Sequence, residues 1–352
     1  MSHPADEPRS ASVTWPMAML GGALGSLSAP ASWPVALAGF LARGGLILFL
    51  VPIIVLPTPA GVANVVAPWL VPFVFGQVSP EVVAILAATV ALAVGWIVGG
   101  GLLGAWADVL LIREAAADEE LGFAPTVPPP RRRLVGRVFA LRLLAHAPLA
   151  AALVWGAARI GQAGYRELVN PLEVVSPLAV RIISAVPDAV ALVLVAWLVG
   201  EAAGGLATRH LVLGGASLGR SLREAYVDLV RYPSSLATIA LTTFGLLITL
   251  VPSVVAAGVG WSWARVLLLG GALPPEAVIA IFLFVVLWLG GLALAAGVAA
   301  WRSYAWTAEW MRHRAASGWD VGPTPEHEVG TIGGPGSPRP GGWSSTGSSG
   351  TV

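Results

Sequence analysis

Residues 276–304 read EAVIAIFLFVVLWLGGLALAAGVAAWRSY, and no charged side chain lies between Glu276 and Arg302. About 20 apolar residues in a helix span the roughly 30 Å of hydrocarbon in a bilayer, so this run is long enough to cross. A single segment satisfies its own backbone hydrogen bonds in lipid by forming a helix. The stretch therefore predicts a transmembrane helix.

Five further stretches of comparable length and hydrophobicity occupy much of the chain. They lie near 44–63, 81–112, 143–160, 187–207 and 234–258. The composition agrees with this pattern, since 56% of the 352 residues are hydrophobic and only 11% are charged, unlike the average soluble domain. We therefore expect an all-α, polytopic membrane protein with six transmembrane helices.

The arginines predict how these helices are oriented. All 20 basic residues are arginine, and cytoplasmic loops retain positive charge during insertion. On the six-helix topology sixteen of them fall on one side, and the four on the other side are Arg159, Arg166, Arg181 and Arg265. The sequence thus predicts a multi-pass protein of the cytoplasmic membrane with both termini in the cytoplasm.

The chain divides into three regions. We expect residues 1–32 to be an N-terminal cytoplasmic segment and residues 33–314 to form the six-helix domain. Residues 315–352 are rich in Gly, Ser and Pro, a composition that cannot bury enough apolar surface to fold. They are predicted to be a disordered cytoplasmic tail.

A pattern recurs three times in the six-helix domain, over residues 33–112, 131–209 and 217–304. Each unit begins with an arginine that is followed by a helix interruption, and it later reaches a tryptophan. These pairs are Arg43 and Trp96, Arg142 and Trp197, and Arg231 and Trp288. The two landmarks are 53, 55 and 57 residues apart, so we interpret the units as three helical hairpins.

Local patterns give further detail within each hairpin. Residues 217–231 place apolar and charged side chains on opposite faces and predict an amphipathic interfacial helix on the cytoplasmic side, with weaker counterparts at 33–43 and 131–142. A proline followed by an acid marks the start of each second helix. These starts are Pro80-Glu81, Pro187-Asp188 and Pro275-Glu276.

Glycines four residues apart occur in the second helices of the first two hairpins. They are Gly100 with Gly104 and Gly200 with Gly204. This spacing lets another backbone approach closely, so it predicts helix packing, and the alternative is a dimer face.

The fifth helix carries a polar stripe. At 100° per residue its members share an arc of about 60°. They are Ser235, Thr238, Thr242, Thr249 and Ser253. Either the hydroxyls bond to neighbouring carbonyls and hold the bundle together, or they line a hydrated path or an amphiphile groove; the sequence favours packing.

Glu201 is the acid expected deepest in the hydrocarbon, because it follows the helix start at Pro187 by about 21 Å of helix. Arg142 and His146, on the antiparallel third helix, should lie at comparable depth. Charged groups inside a bilayer are usually paired or functional. Two hypotheses stay open: a proton-coupled carrier that uses Glu201 with His146, or a buried structural pair.

Composition argues against several classes of function. Without cysteine or lysine there is no thiolate nucleophile, Schiff base or P-loop lysine. The five histidines lack metal-binding spacing, and no base stands beside a nucleophile. Because the net charge is only +1, phosphate-backbone binding is not expected. We therefore expect no enzyme activity, metal, cofactor or nucleic-acid partner.

Residues 209–231, RHLVLGGASLGRSLREAYVDLVR, resemble bacterial six-helix membrane protein families of unknown function that are related to the membrane domain of glycerophosphodiester phosphodiesterases. The shared features are a basic helix end, a Gly-containing turn and an amphipathic helix before the next span. The likeness covers about a tenth of the chain, and Leu213 stands where those families have a glutamate before the turn glycine. The resemblance implies a helical membrane domain without phosphodiesterase activity.

Two functions are compatible with these features. The first is a non-enzymatic scaffold or partner-binding subunit, whose partners are the lipid bilayer and either another protein or a second copy of the chain. The alternative is a small carrier for an apolar or amphipathic substrate, which would use Glu201 and the polar stripe.

Overall fold

The computed structural model describes residues 14–50, 53–54, 76, 79–117, 133–169, 177–269 and 274–316. In this part of the chain every regular element is a helix, so the all-α class is confirmed. The predicted tail, from residue 317 onward, lies outside the described residues.

Twelve α-helices are described, and they are numbered in chain order. They are α1 (Trp15–Ser28), α2 (Ser32–Phe40), α3 (Leu46–Leu50), α4 (Pro80–Ala117), α5 (Arg133–Ala145), α6 (Ala147–Val169), α7 (Leu178–Ala185), α8 (Pro187–Val212), α9 (Leu218–Arg231), α10 (Pro233–Val255), α11 (Ser262–Leu269) and α12 (Pro275–Ala316). π-helical turns join α2 to α3 (Leu41–Gly45) and α10 to α11 (Ala256–Trp261).

Several helical runs in the described chain are long and apolar enough to cross a membrane. Five qualify directly, namely Ser32–Leu50, Pro80–Ala117, Pro187–Val212, Pro233–Leu269 and Pro275–Ala316. A sixth is added if α5 and α6, which meet at a bend of 47°, count as one span. These helices are compatible with a membrane-spanning protein, and the number six stays a prediction.

The start of the first span differs from its prediction. Residues 33–43, expected to be an interfacial helix, lie within the apolar run Ser32–Leu50, and the predicted span at 44–63 extends into residues that are not described. The helix breaks at Arg43 and Gly44, whose φ/ψ angles are not helical, so the predicted interruption after this arginine is confirmed. The Arg43 guanidinium is paired with Asp108, and a paired charge can lie within an apolar run.

The predicted starts of the long helices are confirmed. α4, α8 and α12 begin at Pro80, Pro187 and Pro275, and each has an acid in its first turn. Proline fits this position because the first helical N–H has no partner within the helix, and the carboxylate faces the positive end of the helix dipole.

The two halves of each long helix lie in different environments. On α4 every residue from Val83 to Gly99 is exposed, whereas every residue of α8 from Gly200 to Val212 and of α12 from Tyr304 to Met311 is buried. The buried C-terminal halves meet around Trp306. Large apolar side chains cover the exposed halves, as contact with lipid requires.

Helix α1 is part of this packed core. Gly22 lies against the backbone of Ala305, where a Cβ would approach the amide nitrogen to 2.8 Å. The Trp15 indole donates a hydrogen bond to Thr238 Oγ1 at 2.8 Å. Residues 15–28, which the sequence left in an N-terminal segment, therefore belong to the helical domain.

Candidate functional site

Two buried carboxylates and three arginines form an ion network among the helices. Arg43 Nη1 is 2.6 Å from Asp108 Oδ1, and Arg302 Nη2 is 2.9 Å from Glu201 Oε1. Arg142 joins the two pairs, with Nη2 at 2.8 Å from Asp108 Oδ2 and Nη1 at 3.3 Å from Glu201 Oε2. The network thus links α4, α5, α8, α12 and the turn before α3.

Local backbone features bring the first two arginines to the network. Arg43 lies in the π-helical turn, where Gly44 takes a φ of +106° that other residues rarely adopt. Glycines on the facing helices leave room for the arginine stems. A Cβ on Gly104 would lie 3.1 Å from the Arg43 side chain, and one on Gly204 would lie 3.2 Å from that of Arg142. The glycines thus serve close packing, as predicted.

The three residues predicted to meet in the membrane, Glu201, His146 and Arg142, are neighbours. The nearest His146 nitrogen, Nε2, is 3.7 Å from the Glu201 carboxylate, beyond hydrogen-bond distance. Its Nδ1 is 2.9 Å from the Arg142 carbonyl oxygen. The charged partners of Glu201 are therefore arginines, and His146 lies at the edge of the group.

Arg209 lies near the network and is buried, whereas Arg43, Arg142 and Arg302 keep part of their surface exposed. Arg209 is 3% exposed and donates hydrogen bonds to Gly205 O at 2.8 Å, Ser303 O at 2.9 Å and Thr307 Oγ1 at 3.2 Å. Among the described residues no carboxylate lies within 4.0 Å of its guanidinium. The guanidinium is thus hydrogen-bonded to neutral groups.

A cavity of about 410 Å³ borders all of these charged groups. We call it the chamber. One part of its wall is charged and consists of Arg43, Asp108, Arg142, Glu201, Arg209 and Arg302. The rest is mainly apolar and includes Ile47, Leu48, Leu194, Trp197, Leu246, Leu247 and Leu250. Its size is in the range of small-molecule sites in proteins.

Asp108, Arg43 and Arg302 were not predicted as site residues. In the sequence Arg43 served as a landmark of the first repeat unit, and Arg302 marked the end of an uncharged run. Each lies far from its partners in the chain, so helix periodicity could not reveal the contacts. The glycine spacing on α4 and α8 was the one available signal, because it indicates where another helix approaches.

The polar stripe on α10 is buried and largely bonded within the bundle. Thr238 donates to Ser234 O at 2.9 Å, Thr242 to Thr238 O at 2.8 Å and Thr249 to Leu246 O at 2.6 Å. The two ends of the stripe, Ser235 and Ser253, are also buried. Of the hydroxyl-bearing residues on this helix, Thr243 lines the chamber, and the five stripe residues do not. This geometry matches the packing interpretation.

A second polar group, the α9 cluster, surrounds His210. The His210 Nε2 is 2.8 Å from Asp228 Oδ2, and its Nδ1 is 3.2 Å from Glu224 Oε2. The Arg314 guanidinium is 3.0 Å from the same Glu224 oxygen. Burial acts to raise the pKa of Glu224, but the hydrogen bond from Arg220 and the charges of His210 and Arg314 outweigh it, so this pKa lies below its ordinary value.

Among the described residues, no three His, Asp or Glu side chains are grouped so that they could hold a metal ion. Comparison of the chain with family models, with curated proteins and with solved structures found no match. The resemblance seen at residues 209–231 therefore stays a prediction.

Proposed function

We propose that the protein is a multi-pass membrane protein that binds an amphipathic molecule in the chamber and carries it. The proposal includes six crossings arranged as three hairpins, with both termini in the cytoplasm. The observation that supports it most is the wall of the chamber, which combines four guanidinium groups with an apolar surface. A molecule with a polar head and an apolar tail complements both parts at once.

The packing of the first two hairpins supports the repeat. Gly100 lies against the Ala42 carbonyl oxygen, and Gly200 lies against Ala145 O and the His146 ring. In both cases a glycine of the second helix meets the backbone beside the hairpin's arginine. In the third hairpin Gly291 lies against Ser253, and the guanidinium that reaches the chamber is Arg302 instead of Arg231.

The surroundings of the chamber support an occupant that comes from the membrane. The residues that line its apolar part include Leu194, Ile47 and Leu247, which are about half exposed. In a bilayer such side chains would contact acyl chains. An amphiphile could therefore enter with its tail still next to lipid.

The experiment is native mass spectrometry of the protein extracted with its own lipid. Leu247→Trp adds bulk to the chamber wall, whereas Leu241→Trp adds the same bulk to an exposed site on the same helix that does not line the chamber. We expect a retained amphiphile in the parent and in Leu241→Trp, and its loss in Leu247→Trp. Equal retention of the amphiphile in Leu247→Trp and Leu241→Trp would contradict the proposal.

The scaffold function has one observation in its favour. On α9 the apolar side chains of Tyr226, Val227 and Val230 are 37%, 49% and 88% exposed, and a contiguous exposed apolar surface is typical of a protein contact. In the same mass spectra, a bound protein or second copy of the chain that disappears on Val230→Glu would favour the scaffold over the carrier.

A further inference from the structure

The chamber carries more positive than negative charge. Four arginines line it, Arg43, Arg142, Arg209 and Arg302, and they face two carboxylates, Asp108 and Glu201. Arginine stays protonated in proteins. The charged residues that line the wall therefore hold an excess of two positive charges. Uncompensated charge in a low-dielectric region is unfavourable, so the chamber favours an anion.

Donor groups for such an anion are already in place. The carbonyls of Gly205 and Ser303 and the hydroxyl of Thr307 orient Arg209, and these bonds use three of the five N–H groups that a guanidinium offers. The Nε of Arg142 is buried and has no hydrogen-bond partner among the described residues. A ligand in the chamber can accept from N–H groups that the protein leaves unused.

Cationic head groups do not fit this wall. The Trp306 ring of the wall already contacts two guanidiniums, Arg302 at 4.5 Å and Arg209 at 5.3 Å from its centroid. A quaternary ammonium could therefore not use that ring. It would also be repelled by the excess positive charge.

We infer that the chamber binds an amphiphile whose head is a phosphomonoester, with Arg209 and Arg302 as its main ligands and the tail along Leu48, Leu194 and Leu247. A phosphomonoester carries close to two negative charges at neutral pH, which matches the excess. Its oxygens also fit the fork of a guanidinium. This inference rests on the proposed function, since it names the class of the bound amphiphile.

The test uses the full-length protein in nanodiscs of dioleoyl phosphatidylcholine. Dioleoyl phosphatidic acid, dioleoylglycerol and inorganic phosphate are titrated separately, and bound ligand is counted by native mass spectrometry. The two lipids share their tails and differ in the phosphomonoester. We expect phosphatidic acid to bind at least tenfold more tightly than dioleoylglycerol, because hydrogen bonds to charged groups contribute on the order of one to two factors of ten.

Arginine variants test whether the phosphomonoester binds at Arg209. Arg209→Gln should remove most of the preference for phosphatidic acid, whereas Arg137→Gln, which removes an exposed arginine outside the chamber, should leave it unchanged. Arg209→Lys keeps the positive charge but loses the forked guanidinium, so its preference for phosphatidic acid should lie between those of the other two variants. If Arg209→Gln fails to fold, the comparison of the two lipids on the parent protein still decides the inference.

The outcomes separate the two proposals. Equal binding of phosphatidic acid and dioleoylglycerol would overturn the phosphomonoester inference and leave an amphiphile carrier standing. Binding of inorganic phosphate as tight as that of phosphatidic acid would keep the anion but overturn the amphiphile. Binding of none of the three probes would overturn both. A preference that persists unchanged in Arg209→Gln would contradict the assignment to this arginine.

Discussion

Arg142 is the residue on which the ion network depends most. It is the one arginine that contacts both Asp108 and Glu201, while Arg43 and Arg302 each serve a single carboxylate. The sequence identified Arg142 and Glu201 as neighbours from helix depth alone. It could not identify Asp108, because the depth of α4 relative to α8 is set by packing and not by its own hydrophobic run.

We therefore predict that Arg142→Gln destabilises the protein strongly. Removing one partner from a buried ion group leaves carboxylate charge uncompensated, which costs about 3 kcal/mol. The matched control is Arg159→Gln, since Arg159 pairs with Asp188 at 3.1 Å on the exposed surface, where such a pair contributes about 0–1 kcal/mol. Thermal unfolding in detergent measures both. A similar loss of thermal stability in the two variants would mean that the network is not structurally important.

At the scale of helices, the surroundings of individual glycines distinguish the two halves of a long helix better than hydrophobicity does. The apolar runs predicted which segments form long helices, but they could not separate halves that face lipid from halves that face protein, since both are apolar. Gly205 gives an example: it lies directly against the Trp306 ring, in the buried half of α8. Gly99, on the exposed half of α4, has no neighbouring atom within 4 Å of a Cβ position.

These two glycines provide a prediction for packing. Gly205→Ala should push Trp306 out of place and lower the free energy of unfolding by about 1–3 kcal/mol. Gly99→Ala should be neutral or stabilising by up to about 1 kcal/mol, because alanine has a higher helix propensity than glycine at an exposed position. Melting temperatures of both variants give the comparison. A tolerated Gly205→Ala would show that α8 and α12 do not meet as closely as described.

At the scale of the whole molecule, the sequence predicted the class of protein and the positions of most helices, whereas the chamber came only from the structure. Its wall combines residues from α2, α3, α4, α5, α8, α10 and α12, and Arg43 and Arg302 are separated by most of the chain. Helix periodicity describes one helix at a time. A cavity among seven helices depends on how they pack, which no local pattern encodes.

The topology can be tested with single cysteines, because the chain has none of its own. Arg220 and Tyr165 are both exposed and are assigned to opposite sides of the membrane. In intact cells, a membrane-impermeant maleimide should label Tyr165→Cys and spare Arg220→Cys, and permeabilisation should expose the latter. The reverse labelling pattern would mean that the protein has the opposite orientation. Labelling of both cysteines in intact cells would mean that the number of crossings differs from six.

The central claim is that an amphiphile occupies the chamber, and photo-crosslinking tests it most directly. The probe is a phosphatidic acid with a diazirine near the end of one acyl chain, added to the protein in nanodiscs and mapped by peptide sequencing. The account predicts saturable labelling at chamber residues such as Leu48, Leu194 and Leu247, suppressed by excess unlabelled phosphatidic acid. Labelling that does not saturate and is spread over outward-facing residues such as Leu92 and Phe282 would contradict it.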